Sequence, residues 1–414
     1  MLKLFHSIVA LFFLTAFQLA NADTAPTFQL VETTPVKTIY QNSTLSNTET
    51  VWLNMVNEAQ RSIVIGSFFF ASAPNSSMEY FVQALNAAAE RGVQVQILLD
   101  QSMQAQSAPV VAELNKKNIG VRYVNFKQLD NGVMHAKYMI IDGHDSFVGS
   151  QNFGWKAISQ NHELGIRIDN VQLANNLLQL FNIDWQLSQL NNFSAARDWA
   201  RAHDFTNPIT HENPIQMGTA SIYPAYSPKD FIPDNVDWDL PQLLDLIDGA
   251  KQQILIQVYQ YSDLSGYQGR NRWQPIDKTL IDAAKRGVKI KLLVSDAMLN
   301  GKAGLRGLQG IQNIPNIEIR VSSIPVYQGK HGAYPRVDHA KYMLIDNNIT
   351  WISTSNWQKN YFYKTRGISL VIHDSATNAA LQKIFWQAWQ SPYAKTPAQM
   401  QAPSKWFGGL FNDD

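Results

Sequence analysis

The sequence predicts an α/β fold built from one unit used twice, and three observations carry that reading. Strand-like apolar runs alternate with helical stretches along the chain, the pattern of sheets layered with helices. The order of those runs recurs in the second half, the mark of an internal repeat. Finally, the pattern His-x-Lys-x4-Asp occurs once per copy, as His135-Ala136-Lys137 with Asp142 and as His339-Ala340-Lys341 with Asp346. An asparagine follows each histidine by the same 17 residues, Asn152 and Asn356. A single copy would read as a solvated strand edge. Two copies in one register point to one shared site.

In the first half, Ser62–Phe70 reads as a buried strand and 78–90 as a helix, after which Arg91-Gly92 leads into a second strand ending near Leu99. A short strand at 119–124, the motif strand at 136–142, a hairpin strand at 146–149 and a closing helix at 171–187 complete the unit. The second half repeats the order: a strand at 253–259, a helix at 276–285, Arg286-Gly287 and a strand to Leu293, then 317–321, 340–346, 350–353 and a closing helix at 376–390. Gly92 and Gly287 fall where a helix ends on a residue of positive φ. The expected halves are 28–190 and 241–395. Residues 191–240, rich in Asn, Pro and aromatics, would connect them, and 396–414 form a tail.

The two copies are not equally long. Arg91 and Arg286 are 195 residues apart, whereas His135 and His339 are 204 apart, so the second half holds nine more. Tyr327–Arg336, with its Gln-Gly-Lys-His-Gly run, is the expected place of the insertion. Loops beside catalytic strands commonly govern substrate access.

Residues 1–22 form a segment of their own. Lys3 precedes an apolar stretch from Leu4 to Leu19, and Ala20-Asn21-Ala22 has the small-x-small form of a cleavage site. The expectation is an exported protein with a cleaved signal peptide; the alternative is an anchor through residues 4–20. Both put the domain outside the cytoplasm. With no cysteine in the chain, disulfides, thiolate metal sites and a cysteine nucleophile are excluded. Without Lys3 the chain balances 33 basic against 33 acidic residues. That argues against coating long nucleic acid by bulk charge but allows a local phosphate-sized site.

Histidine and lysine two apart on an extended run emerge on one face. Neutral imidazole can attack phosphorus and form a covalent intermediate. Ammonium and amide groups can hold the non-bridging oxygens as charge builds there, while a second, protonated histidine serves the leaving oxygen and then the attacking water. None of this needs a metal or another cofactor. The remaining histidines, at 144, 162, 203, 211, 331 and 373, lack metal-ligand spacing and read as surface or packing residues. Phe68, Phe69, Phe70, Tyr259, Tyr261 and Trp273 stand near strand ends, where they could stack bases or receive acyl chains, although core packing is their commoner use.

These residues resemble the phospholipase D superfamily: His135-x-Lys137-x4-Asp142, then Gly149-Ser150-Gln151-Asn152, then Glu163 eleven residues on. The resemblance implies two α/β/α sandwich halves with mixed sheets around a pseudo-twofold axis. It implies nucleophile and acid roles for the histidines, phosphate binding by Lys137, Lys341, Asn152 and Asn356, and weaker support from Ser150 and Thr354. Asp142 and Asp346 are structural in that family. A carboxylate on imidazole Nδ1 fixes the tautomer, so Glu163 is expected to back His135, making it the nucleophile and His339 the acid/base. Gly367 stands where the first half has Glu163, and Ser353 where the motif usually has glycine. No partner for His339 is therefore assigned.

Ser355-Asn356-Trp357, Phe153-Gly154-Trp155 and Trp389-x-Ser391-Pro392-Tyr393 are similar to the animal endolysosomal branch of the family. That branch implies single-stranded DNA or RNA, degraded from the 5′ end, as substrate. The alternative is phospholipase D or transphosphatidylase action on glycerophospholipids, and a third reading is a non-catalytic binding module. No stable protein partner is expected.

Overall fold

The computed structural model describes residues 27–265, 271–300, 304–329 and 332–400. The segment expected to be a signal peptide, His331 and the tail beyond residue 400 lie outside them.

The first half contributes β1 (Phe28–Thr33), α1 (Thr48–Glu58), β2 (Ser62–Ser67), α2 (Ser77–Glu90), β3 (Gln94–Asp100), α3 (Gln104–Asn115) and β4 (Gly120–Val124). The motif hairpin β5 (Tyr138–Ile141) and β6 (Asp145–Gly149) follows, then β7 (Glu163–Asp169) and the closing helix α4 (Val171–Leu187). The sheet runs β1-β7-β6-β5-β2-β3-β4, with Ser46–Asn47 outside β1. β2, β3 and β4 pair in parallel, and β1, β7, β6, β5 and β2 pair antiparallel.

After α5 (Phe193–Arg201), the second half repeats the plan with β8 (Ala220–Ser227), α6 (Asp239–Gly249), β9 (Gln253–Val258), α7 (Pro275–Lys285), β10 (Lys289–Ser295) and β11 (Ile317–Ser322). Then come β12 (Tyr342–Ile345), β13 (Ile349–Ser353), β14 (Gly367–His373) and α8 (Ser375–Trp389). Its sheet runs β8-β14-β13-β12-β9-β10-β11, the order of the first, with Ile215–Met217 and Ala394–Lys395 at the edges. The fold is the duplicated α/β unit expected from the repeat. The stretch read as a connection, 191–240, differs from that reading: β8 pairs with β14 from Ser221–His373 to Ser227–Gly367 and belongs to the second sheet, as β1 does to the first. The extra segment forms a hairpin, Tyr327–Gly329 against Gly332–Tyr334.

Strand alternation distributes the apolar side chains. Ile63 and Ile65 of β2, with Met139 and Ile141 of β5, join α1, α2 and α3 in one cluster. Val64, Tyr138 and Ile140 face the other way, into a larger core that includes α4 and the second half. A one-residue slip would reverse both faces. Helices α2 and α7 end at Gly92 (φ 92°) and Gly287 (φ 97°), conformations that cost glycine little.

β5 and β12 are central in their sheets, but they begin later than the expected 136 and 340. The motif histidines and lysines precede them because the chain there pairs across the halves. Met134 bridges Arg366, and His162 bridges Asp338. The backbone N–H of His135 donates to the Arg366 carbonyl (3.1 Å) and that of His339 to the His162 carbonyl (2.8 Å).

Candidate active site

The cross-half pairing brings both motifs into one site. His135 is 6% exposed and His339 7%, while Lys137 and Lys341 are fully enclosed. Each lysine ammonium folds back on the carbonyl of its own motif histidine, Lys137 on His135 and Lys341 on His339 (2.6 Å for the latter). Each ammonium also lies over an aromatic ring, Lys137 Nζ 5.5 Å from the centre of Phe68 and Lys341 Nζ 5.2 Å from that of Tyr259. The oxygens Oδ1 of Asn152 and Asn356 are buried with no hydrogen-bond partner among the described residues.

The expected pairing of Glu163 with His135 is corrected by the geometry. Glu163 Oε2 lies 2.7 Å from Nδ1 of His339, the histidine of the other half. His135 Nδ1 instead donates to the Thr354 carbonyl at 2.9 Å. Ser150 and Thr354, expected on the phosphate, brace these mounts. Ser150 Oγ donates to Glu163 Oε2 (2.6 Å) and accepts from Leu164 N–H (3.0 Å), and Thr354 Oγ1 accepts from Ile368 N–H (3.0 Å). On both rings Nδ1 is the nitrogen engaged by the mount, and Nε2 takes no part in it. A side chain at Gly367 has no room, since a Cβ would come within 2.0 Å of Ser355 Oγ.

Burial sets the electrostatics. It pushes Glu163 up to about 7 against the opposing pull of Lys341, and pushes Lys341 down to about 7 against that of Glu163. Burial, then the Lys341 charge, drives Lys137 well below its ordinary value. The imidazoles of His135 and His339 are both driven well down by burial and by the two lysines. Two lysines and two histidines therefore share the site with one contacting carboxylate. Such a site favours an anion, whose charge would restore the protonated forms.

The structure does not bring the motif aspartates to this site. Asp142 and Asp346 stand at the far ends of β5 and β12 in the left-handed region (φ 52° and 49°). Their carboxylates accept from the backbone N–H groups of residues 60–62 and 251–253 and so join the hairpin turn to the neighbouring strand. Phe68 and Tyr259 are both core and site: Phe68 lies 5.3 Å from the His135 ring and Tyr259 4.6 Å from that of His339. Tyr361, to which the sequence reading gave no site role, meets His135 edge to face at 5.0 Å.

His162 is no surface residue. Its ring is held between Asp338 Oδ1 (2.5 Å) and Glu32 Oε1 (2.8 Å), and its carbonyl accepts from both His339 and Ala340. Its place beside Glu163 was the available signal.

A twice-used α/β unit whose halves exchange the supports of two histidines defines a class, and comparison with known proteins agrees. The family described as "Cardiolipin synthase, PLD-like domain" matches residues 52–185 and 243–389. The 5′-3′ exonuclease PLD3 of Bos taurus is 30% identical over 396 residues, covering 88% of this chain and 79% of the relative, and that of Homo sapiens gives the same values. Phospholipase D Z of Dictyostelium discoideum is 25% identical over 383 residues, covering 88% of this chain and 90% of that protein. Phosphatidylserine synthase of Haemophilus influenzae shares the fold at a TM-score of 0.61 and 12% identity, over 84% of this chain and 85% of that one. The chain belongs to the phospholipase D-like family.

Proposed function

We propose that the protein is a metal-independent phosphodiesterase that works through a covalent phosphohistidine. The observation that carries this is the meeting of two His-Lys pairs in one buried, cation-rich site around a single contacting carboxylate. Because Glu163 engages His339 rather than His135, the nucleophile in this reading is His339. A carboxylate on Nδ1 raises the basicity of Nε2 and stabilises the cationic ring once it is phosphorylated. His135, backed by a neutral carbonyl, keeps its proton less tightly and suits the acid role.

In the first step His339 Nε2 forms a bond to phosphorus. The phosphorus–oxygen bond to the leaving group breaks, and His135 protonates the departing oxygen. In the second, neutral His135 takes a proton from water, the water oxygen bonds to phosphorus, and the phosphorus–nitrogen bond breaks. Lys137, Lys341 and the amides of Asn152 and Asn356 hold the non-bridging oxygens throughout.

The substrate proposed is single-stranded DNA or RNA cut from its 5′ end, supported by the likeness to the PLD3 exonucleases. Action on a phospholipid is the second reading, favoured by the match to Phospholipase D Z over most of both chains. Export through residues 1–22 belongs to the proposal. Among the described residues no helix is long and apolar enough to cross a membrane.

Purified protein incubated in parallel with a 5′-hydroxyl oligonucleotide and with phosphatidylcholine decides between the substrates. The oligonucleotide should shorten from the 5′ end, in EDTA as well as without it. Consumption of the lipid alone would reverse the order, and activity restored only by a divalent ion would overturn the chemistry.

A further inference from the structure

Linked through Asn161 to the carboxylate on His339 is a group of cations that no carboxylate among the described residues pairs with. Trp155 and Lys156 follow shortly after Asn152 in the first half. Tyr327, Tyr334 and Arg336 come from the hairpin segment inserted before the second motif, and Lys37 from the N-terminal segment. The Trp155 and Tyr334 rings meet edge to face at 5.0 Å, with Lys156 Nζ 5.6 Å and 5.7 Å from their centres. Tyr327 packs on Tyr334 at 5.6 Å and carries Arg336 and Lys37 over its face at 5.4 Å and 5.6 Å.

Two short routes tie this group to the reacting centre. Asn161 donates its backbone N–H to the Lys156 carbonyl (2.9 Å) and its side-chain amide to Glu163 (3.4 Å), the carboxylate on His339. Val337 packs with Tyr259, whose ring lies on His339.

Several other cation–ring contacts have a structural use, and Lys229 over Trp238 and Lys359 over Tyr363 involve exposed lysines. Arg122 over Trp185 and Arg320 over Trp389 also bond carbonyls in the last turns of α4 and α8, and Lys291 pairs with Glu318. Arg336 is similarly tied to the carbonyls of Pro325 and Val36. Lys156 and Lys37 have no such anchor among the described residues. Lys156 is half-buried, and that burial alone lowers its ammonium from the ordinary value. A half-buried ammonium between aromatic rings, without an anion, is arranged for one that arrives with a ligand.

We propose that this group is a subsite for the nucleotide next to the scissile one, with its phosphate on Lys156 and Lys37 and its base against Trp155. The proposal rests on the nucleic-acid reading above and sharpens it. A diacyl glycerophospholipid such as phosphatidylcholine carries one phosphodiester, which the histidines and lysines already take. A polynucleotide brings a second phosphate and a flat ring beside the first.

The test compares wild type, Lys156→Ala and Lys156→Arg in two measurements. One is binding of a labelled single-stranded oligonucleotide at several salt concentrations. The other is kcat/KM for that oligonucleotide relative to bis(p-nitrophenyl) phosphate, which lacks a second phosphate. Lys156→Ala should weaken oligonucleotide binding by roughly tenfold at low salt and reduce the salt slope by about one. It should lower the oligonucleotide-to-small-diester ratio by about the same factor, with Lys156→Arg restoring most of it. If wild type binds the oligonucleotide and Lys156→Ala matches it in affinity and slope, the subsite is wrong while the substrate reading survives. If wild type cleaves the small diester but neither binds nor cleaves the oligonucleotide, the substrate reading falls and takes the subsite with it.

Discussion

The two catalytic-motif histidines are mounted alike in backbone and differently in charge. Each backbone N–H is held by the carbonyl of a buried basic residue in the other half, Arg366 for His135 and His162 for His339. Each ring also lies against the carbonyl reached just past the hairpin, Thr354 for His135 and Ser150 for His339. To this common frame the His339 side adds Glu163. On the His135 side, Gly367 at the corresponding place has no room for a side chain. Duplication thus supplied two equal supports, and one carboxylate made them unequal. In the proposed reaction, that inequality assigns the roles.

The largest effect should come from the histidines themselves, and it separates them. Either substitution to alanine should reduce hydrolysis of an ordinary diester by about 10⁴-fold or more, as removal of a covalent-catalysis partner does. With bis(p-nitrophenyl) phosphate the leaving group needs no acid. There, His135→Ala should still release one burst of p-nitrophenol and accumulate a phosphorylated protein, while His339→Ala should do neither. A burst from His339→Ala and none from His135→Ala would exchange the roles.

Glu163→Gln tests the added carboxylate and should cost about 10³–10⁴-fold in kcat, by analogy with other histidine-orienting carboxylates. Its pH signature is signed. Glu163, raised to about 7, must be ionised to hold His339, so activity should fall as pH drops through that range. Lys341, lowered to about 7, must be charged to hold phosphate, so activity should fall as pH rises through it. Wild type should show a narrow bell belonging to the coupled pair. The glutamine variant should lose the acidic limb, and its alkaline limb should move to lower pH, since the charge that supports Lys341 is gone. An unchanged profile would remove Glu163 from the mechanism.

The repeat, the order of elements and the convergence on one site could be read from periodicity and motif spacing. Which half's carboxylate faces which histidine could not. Spacing along the chain places Glu163 near His135 in sequence, but the strand crossing at His162 and Asp338 delivers it to His339. β8 was hidden for a local reason. Pro224 within it and Pro228 after it mimic a loop, and proline is tolerated because β8 has only the three-residue strand Ile215–Met217 outside it. The importance of His162 is a tertiary matter, since Glu32 and Asp338 reach it from distant segments.

The smaller effects concern the basic residues behind the mounts, and stability rather than rate. Arg366 forms a fully buried ion pair with Asp184 at 2.7 Å and bonds the carbonyls of Ser227 and Phe231. Arg366→Met would strand that carboxylate and should cost about 3–5 kcal/mol in denaturant unfolding. His162→Gln should cost less, about 1–3 kcal/mol, because the amide still bonds one neighbour. The two should differ most in pH dependence. Burial opposes a charge on His162, but Asp338 and Glu32 outweigh it and hold the ring proton to about 10. A raised basic group stabilises fully below its unfolded value of about 6.5 and loses that contribution as pH climbs through the folded value. Wild type should therefore lose stability between about pH 6.5 and about 10, a slope that His162→Gln flattens and Arg366→Met retains. Equal slopes in all three proteins would show that His162 is not held as a cation.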